Sequence, residues 1–260
     1  MSNSGIDPVK KEKRLQLSLI PTFILHPKTG FSKITELPRS SWLTPILVTS
    51  LAVILCVIAT GWLKQQTALT GEPTLPPDFD YFTPEQQAQY FQAAQTTQSA
   101  TFVYFLPVVG SLVGIWLGWL LLGGILHLST TLFGGRGDTA ISMNLVAWSY
   151  LPFAIRNVIR LVYIVLSRRL IESPGLSGFI PSTDTNVSIV LATLLNFIDI
   201  YLIWHIILLV VGTKITMGLS TAKSVGSVLI TIFFIIGFQT AAQYLITKIS
   251  SLSITRPFFF

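Results

Sequence analysis

Five long apolar stretches separated by shorter polar segments organise this chain, at about 42–63, 102–127, 140–167, 187–211 and 225–246. Each reaches the roughly 20 residues that a helix needs to cross a hydrocarbon core about 30 Å thick. The pattern predicts an all-α, polytopic integral membrane protein with five transmembrane helices. Residues 1–41 read as a basic N-terminal tail with a short interfacial helix, 42–250 as the membrane domain and 251–260 as a C-terminal tail. The apolar run LSLIPTFIL at 17–25 is too short to span and is interrupted by Pro21, so it is expected along the interface, with a short helix near 31–37. Trp42 and Trp62 bracket the first span as an aromatic belt does.

Two segments read as outer loops. Residues 65–100 contain no Lys or Arg. Their first half is held extended by Pro73, Pro76 and Pro77, and a Gln-rich helix is expected from Pro84, with proline in its first turn. Residues 168–186 carry SPGLSGFIPST, whose Pro and Gly argue against regular structure. The third span contains Pro152 and is expected to kink there. A re-entrant helix pair over 140–170 is the alternative, and it would return the C-terminus to the starting side.

Composition agrees with lipid as solvent: 51% of the 260 residues are hydrophobic and 11% charged, with a mean hydropathy of +0.66, where soluble domains carry about a quarter charged residues. The net charge of +6 does not imply nucleic acid, because the basic residues flank apolar segments. Lys10, Lys11, Lys13, Arg14, Lys28, Lys33, Arg39, Arg136, Lys214 and Lys223 fall on one side, against Lys64, Arg168, Arg169, Lys248 and Arg256 on the other. Ten against five predicts N-in, C-out. The clustered charges at 10–14 suit weak attachment to anionic headgroups. No cleavable signal peptide is read in the first forty residues.

Few residues carry candidate chemistry. Gly110, Gly114 and Gly118 lie four apart on one helix face. They predict close approach of another helix, with a neighbour from the same chain favoured over a second molecule. Asp199 falls about a dozen residues into the fourth span, where a carboxylate is costly unless paired. Arg156, with Arg160 one turn on, approaches that depth from the other side, so an intramembrane pair Asp199–Arg156/Arg160 is expected to lock spans three and four.

His205 and Asp199 point about 120° apart on a helix, and no H-x-x-x-H or C-x-x-C spacing occurs. No metal site or cofactor is expected, and His205 reads as an interhelical hydrogen-bonding group. The lone Cys56 allows no internal disulfide. GRGD at 135–138 resembles one half of an intramembrane aspartyl protease motif but lacks the second acid. GLSG at 175–178 has no His–acid pair to activate its serine. No enzyme is predicted.

The lead-in HPKTGFSKI, the turn FGGRGD, WSYLP and IDIYLIWHIILLVVG resemble the Yip family of five-span membrane proteins over roughly 25–247. Gly134, Gly135, Pro152, Asp199, Trp204 and Gly212 are the positions that carry the resemblance. It implies five spans with opposite termini and a non-catalytic scaffold or adaptor that binds other integral membrane proteins. The short N-terminal region and the Gln-rich loop are closer to the prokaryotic branch, and so to a plasma membrane rather than Golgi or ER. An accessory or permease-like subunit of an ATP-driven export complex is the alternative reading. Self-association is compatible with either.

Overall fold

The computed structural model describes residues 15–34, 36, 41–70, 75, 79–180 and 185–255. The N-terminal basic cluster and the terminal PFFF lie outside them. All regular structure among the described residues is helical: α1 (Ile20–Leu25), α2 (Pro27–Ser32), α3 (Leu43–Thr70), α4 (Pro84–Thr97), α5 (Leu106–Leu132), α6 (Thr139–Ser149), α7 (Leu151–Ser167), α8 (Asn186–Phe197), α9 (Ile200–Thr216) and α10 (Thr221–Thr255). Four segments are long and apolar enough to cross a bilayer: Leu43–Thr67, Thr101–Leu132, Thr139–Ser167 and Thr221–Ile246. The fifth is the pair α8–α9, bent by 60° at Ile198–Asp199. A 60° deflection leaves half of α8's rise along α9. The 12 and 17 residues therefore advance about 35 Å together, enough for one broken span.

The sharp break thus falls in the fourth apolar stretch, not at 140–170. Pro152 does end one helix and start the next, with Tyr150 between α6 and α7, yet the two continue as a single span. The difference follows from what each break contains. Pro152 sits at a helix start, where its missing N–H costs nothing, whereas Ile198 and Asp199 are both extended.

The lead-in before the first span packs against the bundle. Phe23 and Phe31 are fully buried, Phe23 stacks on Trp148 at 4.1 Å, and Gln16 N–H donates to Thr44 Oγ1 at 2.9 Å. Pro27 starts the second short helix earlier than expected, at 27–32. Trp42 is likewise drawn inward, stacking on Trp119 at 4.5 Å, while Trp62 stays exposed. The Gln-rich helix α4 opens with a capping box between Thr83 and Gln86, with Pro84 next to the cap.

Small polar residues join the spans. Ser129 of α5 bonds Thr231 Oγ1 at 2.8 Å and the Ser227 carbonyl at 3.2 Å on α10. In lipid, such contacts substitute for a hydrophobic driving force. The turn at 133–138 docks on the turn after α9, with Arg136 N–H donating to Met217 C=O at 3.1 Å. Gly137 lies against the Met217 thioether, so close that a side chain there would collide with it.

Residues 168–180 of the second outer loop do not stand clear of the bundle. Pro174 shares a pocket with Cys56 and Thr60 of α3, and Leu176 N–H donates to Leu195 C=O at 3.0 Å. The Leu195 carbonyl, near the end of α8, thus accepts from this loop as well as from Ile198 N–H, at 3.2 Å. Gly175 has φ +63, and a Cβ there would sit 2.6 Å from the Leu195 oxygen and 2.8 Å from the oxygens of Asn196 and Ile198. Backbone cannot swing aside as a side chain can. Gly175→Ala is expected to destabilise the protein by more than about 2 kcal/mol, combining left-handed strain with carbonyl contact. Gly178→Ala, whose added Cβ meets Ser173 Cβ at 3.4 Å, should be near neutral. Unfolding of both purified variants by sodium dodecyl sulfate, followed by circular dichroism, separates them.

Candidate functional site

The two helix breaks face each other and build a polar centre inside the bundle. At the first, Phe153 N–H donates to Tyr150 C=O at 2.9 Å, leaving the Ser149 carbonyl without its usual i+4 partner. His205 of α9 supplies one, with Nδ1 2.7 Å from that oxygen. A carbonyl only accepts, so Nδ1 carries the hydrogen, and Nε2 of the neutral ring is left as an acceptor. His205 is 1% exposed, and its Nε2 has no partner among the described residues.

At the second break, Asp199 is the N-cap of α9 and not a residue within a continuous helix. Its Oδ1 accepts from Leu202 N–H at 2.8 Å, and its Oδ2 lies 3.0 Å from Arg156 Nη1. One carboxylate therefore satisfies a helix end and a cation together. Arg156 also lies over the Phe153 ring at 4.8 Å, and Phe153 lies 4.8 Å from the His205 ring. The Arg156 Nε is buried without a partner. Arg160 stays outside this pair: among the described residues the Arg156–Asp199 contact is the salt bridge present.

Phe153, Arg156 and His205 of this centre line a cavity of about 570 Å³ whose walls come from α3, α5, α7, α8, α9 and α10. Gly114 and Gly118 of α5 form part of its wall, and Gln239 and Gln243 of α10 another part. The glycine stripe therefore corrects the expectation of a packed helix face. Nothing lies within 4 Å of an added Cβ at Gly110 or Gly114, and at Gly118 only the Tyr150 hydroxyl, at 3.5 Å, comes that near. The glycines that do bring helices together are others. Gly123 packs on Met143, Gly61 on Tyr104 and the Val103 carbonyl, and Gly212 on Leu145 and Phe31.

The remaining positions singled out in the sequence serve the frame. Gly134 has φ +85 and turns the chain after α5. A Cβ on Gly135 would meet the Thr130 carbonyl at 2.9 Å. Trp204 packs, partly buried, against the main core. Tyr150, Asn157 and Thr49 line the cavity but were not singled out. Asp199 as a cap was legible in principle, since an Asp directly before an apolar run is a helix-start pattern. Among the described residues no three His, Cys, Asp or Glu side chains gather as metal ligands would.

A helical bundle with four long apolar helices and a fifth, bent apolar pair, built around a cavity lined by both polar and apolar side chains, defines a polytopic integral membrane protein. The chain belongs to the Yip1 domain family, whose sequence model matches residues 22–242. No curated protein and no solved structure matches it.

The two roles of Asp199 separate on substitution. Asp199→Asn keeps a capping acceptor but strands Arg156, which costs about 3 kcal/mol. Asp199→Ala loses the cap as well, about 1 kcal/mol further. Detergent unfolding should order the proteins wild type, Asn, Ala, and in an Arg156→Gln background the Asn substitution should cost far less.

Proposed function

We propose that this protein is a non-catalytic membrane adaptor that binds other integral membrane proteins by receiving a transmembrane segment in the cavity between α5 and α10. The observation that carries the reading is the open glycine face of α5 beside unpartnered buried polar groups. Only 11% of the most apolar window of that span is buried within the chain. Glycine weakens a helix unless close approach compensates, and here the approach is left vacant by the chain itself. An incoming helix with a Ser, Thr, Asn or Gln side chain offers both a donor for His205 Nε2 and an acceptor for Arg156 Nε. We place the end bearing the 133–138 turn in the cytosol, from the basic residues flanking it. The resemblance of the Gln-rich segment favours a prokaryotic plasma membrane.

A second reading is an accessory or permease-like subunit of an ATP-driven export complex. It is favoured by the break at Ile198–Asp199 beside the cavity, since discontinuous helices near the middle of the membrane form substrate sites in transporters.

Purification from native membranes in mild detergent tests both. Wild type is expected to retain a stoichiometric integral membrane partner. Gly114→Leu, at a position where an added Cβ meets nothing within 4 Å, should remain folded and lose most of that partner. Retention by Gly114→Leu, or a wild type that purifies alone, overturns the adaptor reading. A partner pair made of an ATPase and a permease decides for the export complex.

A further inference from the structure

A different face of the bundle, where α3 and α7 lie side by side, carries a concentration of unpaired cations. Arg160, Arg168 and Arg169 line one open pocket of about 920 Å³ together with Glu172. Lys64 lines an adjoining pocket that shares Arg160. Four cations thus face one carboxylate, and among the described residues none of them forms a salt bridge.

Arg160 is the most demanding of the four. It lies seven residues before the end of α7 at Ser167, about 10 Å inside the span. A guanidinium at that depth requires an anion or a route to the headgroups. The chain's nearby carboxylate, Asp199, is committed to Arg156 and to the α9 cap. Arg168 closes α7 in the left-handed conformation, with φ 52, so the chain turns at once and keeps Arg168 and Arg169 at the helix end.

The pocket continues into the bilayer. Ile159 is common to it and to a groove of about 330 Å³ lined by apolar side chains alone, among them Leu51 and Leu55 of α3 and Leu151 and Ile155 of α7. Residues 151, 155, 159 and 163 form one ridge of α7 at i+4 spacing. From Ile155 to Arg168 the helix rises about 20 Å, slightly more than one leaflet of a core about 30 Å thick.

We infer that this face is a specific binding site for an anionic phospholipid. Its phosphate sits among Arg160, Arg168 and Arg169 with Lys64 alongside, and an acyl chain follows the α3–α7 groove. Guanidinium groups match phosphate geometry through paired charge-assisted bonds. A net anionic headgroup is selected over a zwitterionic one because the pocket offers four cations and no second acid. The continuous apolar groove favours the lipid over a free anion. The site shares no lining residue with the cavity between α5 and α10, so this inference stands or falls apart from the adaptor reading.

The test uses the delipidated full chain in detergent, supplied with phosphatidylglycerol, phosphatidylcholine or inorganic phosphate, and read by native mass spectrometry and thermal melting. Phosphatidylglycerol is expected to persist as a discrete adduct and to raise the melting midpoint, whereas phosphatidylcholine does neither. Arg168→Gln with Arg169→Gln should weaken the adduct at least about tenfold, the loss expected for charge-assisted bonds. Lys214→Gln with Lys223→Gln, an equal charge loss on the α9–α10 turn, should leave it intact. Arg160→Gln should weaken it further. If that variant fails to fold, the Arg168/Arg169 pair, at and beyond the end of α7, carries the decision. Equal adducts with both lipids, or an unaffected double variant, overturns the inference. Full stabilisation by inorganic phosphate alone reduces it to an anion site and overturns the lipid assignment.

Discussion

Hydrocarbon offers no hydrogen bonds, so every interruption of a helix inside the bilayer must be met by groups from elsewhere in the chain. That constraint shapes this protein more than any single contact. Among the described residues two of its apolar spans are interrupted, and side chains near each break engage groups near the other. The carbonyl freed at Ser149 is met by His205, from the helix that begins after the second break. The helix end opened at Asp199 is capped by that residue's own carboxylate, which also holds Arg156 from the helix that begins after the first. The Leu195 carbonyl at the end of α8 is reached by Leu176 N–H of the loop that follows α7. The breaks are therefore coupled, and the aromatic series Tyr150, His205, Phe153 packs between them.

The same exchange explains the charges. A carboxylate and a guanidinium each carry a severe cost in lipid, but placing both at a break gives each a second task. Asp199 needs a cation, and the α9 N-terminus needs an acceptor. One side chain cannot satisfy both unless the helix starts there. Arg156 has the carboxylate through Nη1 and the Phe153 ring beneath it, yet keeps an unpartnered Nε. Arg160, one turn along, forms no salt bridge among the described residues.

Much of this frame could be read from the chain. Five apolar stretches, the helix starting at Pro84, and the matching depth of Arg156 and Asp199 all follow from helix rise and bilayer thickness. What could not be read was which break would bend. Proline is the usual marker, but Pro152 at a helix start costs little, whereas Ile198–Asp199 carries no proline and bends by 60°. The period of the hydrophobic pattern runs through Ile198 without interruption, so the break is legible only as a capping residue before an apolar run. The packing of the short lead-in was illegible for a related reason. Its length excludes spanning, but only the tertiary fold supplies Trp148 as a surface for Phe23.

The glycines show the limit of spacing arguments most clearly. Gly110, Gly114 and Gly118 have the regular separation of a packing face, and two of them touch nothing. Gly61, Gly123 and Gly212 have no such register, and an added Cβ on any of them would collide with a neighbouring helix or lead-in. A glycine stripe states only that something is allowed to come close. Whether the chain itself fills the space depends on where its other helices are held. Here α10 is fixed to α5 by serine and threonine bonds at Ser129, Ser227 and Thr231, beyond the stripe. The space over the glycines therefore stays available, floored by the polar groups that the two breaks have drawn together.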